Sequence, residues 1–364
     1  MKYNQHEGRK GVAVVTGASA GLGRSIAREF ARNGYDVALL ARGVDGLEGA
    51  KKEIEEMGRK AAYYPVDVAD ADAVEAAAEK IEQELGEIEV WVNNAMNSVF
   101  SPVKEMKAEE YKRVTEVTYL GQVYGTLSAL KRMLPRDRGS IILVGSALAY
   151  RGIPLQSAYC GSKHAIQGFY DSLRTELMHD KSNVQATMVQ LPAMNTTQFG
   201  FVKSRLPNKP QPMGKIYQPE VAAKVILYAA EHNRREYRVG YPTLQAIIGN
   251  KIAPGFADYV LAKTGFEGQQ TNVPEDPNRK NNLWEPIPGD HGAHGTFDDK
   301  ATYSSPQVWL SLHRDKVLTG VLALGGLLLG GMLAGGNGKT TKKKKKSKGK
   351  NKKNGPKRLP FFSA

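Results

Sequence analysis

The stretch T-G-A-S-A-G-L-G, residues 16–23, follows the β-branched apolar run 12–15 and leads into a helical pattern expected to begin near Arg24. A strand that turns through Gly17, Gly21 and Gly23 into a helix lets the backbone approach a pyrophosphate. The helix N-terminus then meets that anion with unpaired N–H groups and a partial positive charge. A lone glycine triplet has a plainer reading as a structural turn; the strand–turn–helix setting is what favours the anion. Working outward, similar apolar runs recur at residues 37–40, 61–66, 90–93, 140–144 and 184–190, with a weaker one at 237–240, and helical patterns separate them. Such alternation predicts an α/β fold: a doubly wound parallel sheet of about seven strands, its ligand lying outside their C-terminal ends.

Composition agrees with a globular chain, 41% hydrophobic and 24% charged over 364 residues. The net charge of +14 invites a nucleic acid or an anionic membrane as partner, so its location matters. Residues 337–364 hold 12 Lys or Arg and no acid, and removing those 12 from +14 leaves +2 on everything else. No specific nucleic-acid surface is therefore expected. A single cysteine, Cys160, excludes an intramolecular disulfide and fits a reducing compartment. With no apolar run near Met1, no secretory signal is expected and the catalytic domain is placed in the cytoplasm.

The glycine spacing T-G-x-x-x-G-x-G is followed in order by N-N-A at residues 93–95, Ser146 after the fifth run, Y-C-G-S-K at 159–163 and L-P-A-M-N-T at 191–196. This ordered set resembles the classical short-chain dehydrogenase/reductase family over roughly residues 9–265. The resemblance implies a Rossmann-type fold and an oxidoreductase that moves hydride between NADP(H) and a small-molecule carbonyl or alcohol. It also implies that Gly17, Ser19, Gly21, Leu22 and Gly23 cradle the cofactor, that Asp67 and Val68 flank its adenine, and that Asn94, Pro192 and Thr196 line the rest of its cleft. A homo-oligomer is expected as well.

Charge speaks to the choice of cofactor. An NAD enzyme places a carboxylate at the end of the second strand, where it bonds the ribose 2′-hydroxyl. Here that strand ends A-L-L-A-R-G, with Ala41 in the carboxylate's place and Arg42 next, a fork of donors suited to a 2′-phosphate. Arg24 is expected to assist; the competing reading of Arg42 is a solvated surface arginine.

Tyr159 and Lys163 stand four apart on an expected helix, so both side chains leave one face. A tyrosine is a poor base at neutral pH unless a nearby cation favours the phenolate. Tyr159 is thus the candidate general acid/base. The resemblance gives Lys163 two tasks, lowering the tyrosine pKa and binding the nicotinamide ribose. Ser146, thirteen residues before Tyr159, would orient the substrate oxygen. V-T-Y-L-G places Thr118 where the family often has asparagine, which puts the proton relay behind Lys163 in question. Met96 and Ala193 also replace glycines common in the family. His291 and His294 do not by themselves make a zinc site, and no metal is assigned. Two alternatives stay open: an NAD-dependent alcohol dehydrogenase of the same fold, and a cofactor-binding sensor or scaffold with weak turnover.

The catalytic domain is expected to close at residue 265. Prolines and Gly/Asn/Asp residues then predict a linker or loosely packed extension over 266–305. An apolar segment at 306–336 follows, in which residues 317–334 carry only Thr319 as a polar side chain, and a disordered polylysine tail ends the chain at 337–364. Eighteen apolar residues approach the thickness of a bilayer core, and lysines add attraction to anionic lipid. Membrane association is expected, with a buried oligomer-contact helix as the competing reading.

Overall fold

The computed structural model describes residues 10–314, 316, 317 and 319. Seven strands form one parallel sheet: β1 (Val12–Thr16), β2 (Asp36–Ala41), β3 (Ala61–Pro65), β4 (Ile88–Asn93), β5 (Ser140–Val144), β6 (Gln185–Gln190) and β7 (Glu236–Arg238). Their spatial order is β7-β6-β5-β4-β1-β2-β3, with β1 pairing to both β2 and β4. All seven expected strands are present, and the order reverses direction beside β1, where an open α/β sheet leaves a ligand crevice.

Alternation within β1 shows how the sheet is covered on both faces. Ala13 and Val15 join a core with Ile26 and Phe30 of α1 (Gly21–Arg32), Leu47 of α2 (Val44–Glu56) and Ile226 of α7 (Pro219–Glu231). Val12 and Val14 point the other way. They meet Ile81 of α3 (Ala71–Glu84), Met133 of α5 (Gly121–Arg136) and Tyr170 of α6 (Ser157–His179). Fully buried strands such as Val12–Thr16, apolar but for the terminal threonine, are what covering both faces demands.

Two boundaries differ from expectation. Helix α1 starts at Gly21, three residues before Arg24, so Gly21 and Gly23 belong to its first turn. More consequentially, the described residues through His313 pack as one unit, and residue 265 is no packing boundary. Residues 266–302 lie against the fold: Gln270–Pro274 pairs with Asn208–Pro210, and Ala301–Thr302 pairs with Ile216–Tyr217. Within this segment Leu283, Ala293 and Phe297 are buried. It shows no apolar periodicity because its backbone polar groups are met by partners distant in sequence, which no local pattern records. Helix α10 (Pro306–Leu312) then packs Val308 into the core.

The expected membrane segment beyond residue 319 and the lysine tail lie outside the described residues. Among the described residues no helix is long and apolar enough to cross a membrane.

Candidate cofactor and active site

One cavity of about 530 Å³ opens along the C-terminal ends of β1 to β6. Gly17, Ser19, Gly21, Leu22 and Gly23 line it from the first turn, and Arg42, Asp67, Val68 and Asn94 line it from the ends of β2, β3 and β4. Ser146, Tyr159, Lys163, Pro192 and Thr196 complete the set from β5, α6 and the loop after β6. Every sequence-predicted site residue thus meets at one cleft except Thr118 and Arg24.

The glycine loop is tight for a steric reason. Gly17 sits at φ +69°, and a Cβ added at Gly23 would lie 2.1 Å from the Gly17 carbonyl oxygen. Its helix end suits an anion: N-cap Ala20 makes no side-chain cap, and the first turn of α1 holds no acidic residue. Asn94 fastens this floor, its Nδ2 donating to the Thr16 carbonyl at 2.9 Å while the Thr16 hydroxyl accepts from the Asn94 N–H at 2.9 Å.

The two arginines behave differently from each other. Arg24 is buried, and its guanidinium donates to Glu53 (2.7 Å), to the carbonyls of Ser19 (3.2 Å) and Gly46 (2.7 Å), and to both oxygens of Asp290 (3.1 Å each). Those bonds commit its donors to the protein, which corrects its expected part in phosphate binding. Arg42 donates one bond each to the carbonyls of Trp284 (2.6 Å) and Asn282 (2.5 Å). Carbonyls orient the fork and leave its charge in place, and three of its five N–H groups remain beyond those two bonds. Burial pushes the Arg42 pKa down; Asp67 opposes that and Arg113 adds to it. A partly desolvated cation of this kind favours an anionic ligand. Asp67 itself takes a hydrogen bond from the Ala69 N–H at 3.1 Å and an ion pair from Arg113.

At the other end, α6 presents Tyr159 and Lys163 one turn apart as expected. Lys163 is buried at 2% exposure, donates to the Val144 carbonyl at 2.7 Å, and holds its Nζ 5.5 Å from the Tyr159 ring centroid. Burial alone pulls its pKa down to about 7. Burial drives the Tyr159 phenol up, against a lowering hydrogen bond from Ser146. A phenol raised above its ordinary value is neutral at rest. Ser146, two residues beyond the end of β5, accepts from the Leu148 N–H at 3.1 Å, which fixes its side chain at the cleft.

Thr118 is corrected. Its hydroxyl donates to the Asn97 carbonyl at 2.9 Å and accepts from the Asn97 N–H at 3.1 Å, and it does not line the cavity. It sits in a π-helical turn, Glu116–Leu120, whose extra residue rotates side chains relative to an α-helix. Met96 and Ala193 line the cavity, where each adds apolar bulk. Cys160 is buried and its thiol is pushed up by that burial, which leaves it no nucleophile's character.

Sequence reasoning missed one wall. Asn282, Pro286, Ile287, Gly289 and His291 of the extension line the cavity, as do Pro242 and Ala246 of α8 (Tyr241–Ile252). Arg113 of α4 (Ala108–Thr115), donating to the Leu283 carbonyl at 3.0 Å, was also unforeseen.

Comparison with known proteins gives a consistent picture. The chain is 32% identical to the uncharacterized oxidoreductase YxnA of Bacillus subtilis over 282 residues, 77% of this chain and 79% of that one. It is 38% identical to human dehydrogenase/reductase SDR family member 7 over 170 residues, 46% of this chain and half of that relative's length. Among solved structures, an alcohol dehydrogenase from the archaeon Thermococcus sibiricus, complexed with 5-hydroxy-NADP, superposes with a TM-score of 0.54 at 30% identity, covering 64% of this chain and 96% of that one. The family profile described as short chain dehydrogenase matches residues 11–205, and with the parallel sheet, the glycine turn and the Ser–Tyr–Lys cluster already in place the chain belongs to that family of oxidoreductases.

Proposed function

We propose that this chain is an NADP(H)-dependent oxidoreductase that interconverts a carbonyl and an alcohol, with Tyr159 as the proton donor and acceptor. The observation that carries the reading is the convergence of Ser146, Tyr159 and Lys163 at one end of a cleft whose other end holds the glycine turn and Arg42. The NADP-type ligand of the Thermococcus structure supports the same cofactor. When bound, the nicotinamide supplies or takes the hydride.

The chain's own residues do the rest. Ser146 holds the substrate oxygen beside Tyr159, and the neutral phenol donates its Oη proton as that oxygen gains charge. Lys163 at 2% exposure places an ammonium near the phenolate left behind. In the reverse direction the phenolate takes the alcohol proton. Around the reacting end, Leu148, Ile153, Phe199, Val202 and Met213 make an apolar wall, which fits a lipophilic carbonyl substrate.

Cofactor choice gives the first test. Wild type is expected to bind NADPH more tightly than NADH, and Arg42→Ala to narrow the gap by roughly 1.5–3 kcal/mol, the worth of a hydrogen bond to a charged group. Fluorescence titration of both cofactors decides it; equal affinities in wild type favour the NAD-dependent alternative.

The membrane tether is part of the same proposal. Full-length protein is expected to float with anionic vesicles at low salt and only partly detach at high salt, since screening removes the lysine attraction and leaves the apolar contact. A chain cut after His313, which keeps α10 in the core, is expected to stay unbound. Full-length protein that does not float at low salt contradicts the tether.

A further inference from the structure

Residues 279–298 lie beyond the stretch matched to the family, yet they reach each part of the cleft in turn. Over the β2 end, the carbonyls of Asn282 and Trp284 accept from Arg42, and the Leu283 carbonyl accepts from Arg113, whose other arm pairs with Asp67. At the glycine turn, the Gly292 carbonyl accepts from the Gly21 N–H at 2.9 Å, and the Gly289 N–H donates to Asp45 at 2.5 Å. Between these points Asp290 grips Arg24 with both oxygens. Toward the reacting end, the Asn282 N–H donates to the Phe201 carbonyl at 2.9 Å, and the His291 ring lies 5.3 Å from the Phe201 ring.

We infer that residues 279–298 form a clasp over the cofactor, latched by Asp290 on Arg24, which must release before NADP(H) can enter or leave. This rests on the cofactor assignment proposed above. The clasp takes the Gly21 N–H yet leaves room beneath it: Pro286, Ile287, Gly289 and His291 line a volume of about 530 Å³ with the segment in place. Its carbonyls are neutral, so they steer Arg42 without cancelling the charge that a 2′-phosphate needs.

The chemistry of the contacts also says that the clasp can open. Polar bonds outnumber its buried apolar anchors Leu283, Ala293 and Phe297, and Trp284 rests half-exposed over Arg113. A segment held in this way opens locally at far less cost than the core beneath it. The latch is lopsided in a useful sense. Arg24 is 2% exposed and keeps Glu53 when Asp290 leaves, whereas the Asp290 side chain is 40% exposed and gains water.

Asp290 therefore acts as a positioning residue, and cofactor exchange is the readout. In stopped-flow displacement of fluorescent NADPH by excess NADP⁺ from the full chain, Asp290→Ala is expected to raise the dissociation rate roughly twofold to fivefold, the range for a part-exposed ion pair. A second variant tests closure without relying on a weakened latch. A Cβ built at Gly49 lies 2.8 Å from Asp290 Cγ, so Gly49→Cys combined with Asp290→Cys brings two thiols within disulfide reach. Native Cys160 is buried. Oxidised with NADPH bound, the double variant is expected to trap it; oxidised empty, to exclude it; reduction by dithiothreitol is expected to restore exchange in both cases. Equal release by the oxidised and reduced forms overturns the clasp, and so does tighter NADPH binding by Asp290→Ala, which would make the segment a competitor of the cofactor. A wild-type chain that binds no NADPH is a different failure, because it removes the cofactor assignment itself.

Discussion

Tyr159→Phe is expected to lower single-turnover NADPH oxidation by about 10²- to 10⁴-fold, the usual contribution of a positioned general acid. Cofactor affinity should barely change. The ring stays and only its hydroxyl goes, and the hydrogen bonds and ion pair at the glycine turn, Arg42 and Asp67 do not involve it. The neutral resting phenol makes the effect strongest in the direction of carbonyl reduction, where a proton must be given at once to the oxygen gaining charge. Measuring NADPH binding and single turnover on the same preparation separates the two outcomes. Retained turnover would require another acid in the cleft; among the described residues the histidine that lines it is His291, which stands on the clasp against Phe201.

Lys163→Met is expected to do two opposite things. Turnover should fall by about 10²-fold or more, because the phenolate loses the ammonium beside it in a site shielded from water. The cofactor-free protein, by contrast, should become more stable. A lysine whose pKa falls from 10.5 unfolded to about 7 folded is protonated in the unfolded chain, but not in the folded one, between those values. Its cost to the fold thus begins as pH drops below the unfolded value, grows down to about 7 and is constant below that. Methionine removes the cost, and the Val144 carbonyl keeps its bond from Gln122 at 3.1 Å. The gain is expected to reach a few kcal/mol near pH 6 and to shrink below about 1 kcal/mol near pH 10. Thermal melts of both proteins at the two pH values test this; a gain that grows with rising pH contradicts the burial of an unpaired ammonium.

The same lysine shows where sequence reading stops. Four-residue spacing on a helix was enough to bring Tyr159 and Lys163 to one face, and the glycine turn, β-branched runs and Ser146 were legible because each depends on local residue type. The direction in which Lys163 and Tyr159 titrate depends instead on burial, a property of the assembled cleft. Thr118 illustrates a second limit. Family spacing put it behind Lys163, but the π-helical turn at Glu116–Leu120 carries its hydroxyl to the Asn97 backbone. The clasp illustrates a third. Arg42 finds its partners more than 200 residues away, as backbone carbonyls of Asn282 and Trp284, and a carbonyl carries no side-chain signature. Pro and Gly in residues 266–302 report little regular structure, and the segment does hold the short pairings at Gln270–Pro274 and Ala301–Thr302; its irregular backbone is as firmly placed as a helix where its polar groups have fixed partners.

The most direct test of the central claim is absorbance of the reduced nicotinamide while the full chain meets a panel of lipophilic and hydrophilic ketones and aldehydes, with NADPH and NADH run in parallel. The account predicts NADPH consumption with at least one apolar carbonyl, faster than with NADH, and none with Tyr159→Phe. NADPH that binds but is consumed with no carbonyl, or NADH consumed equally well, would contradict it.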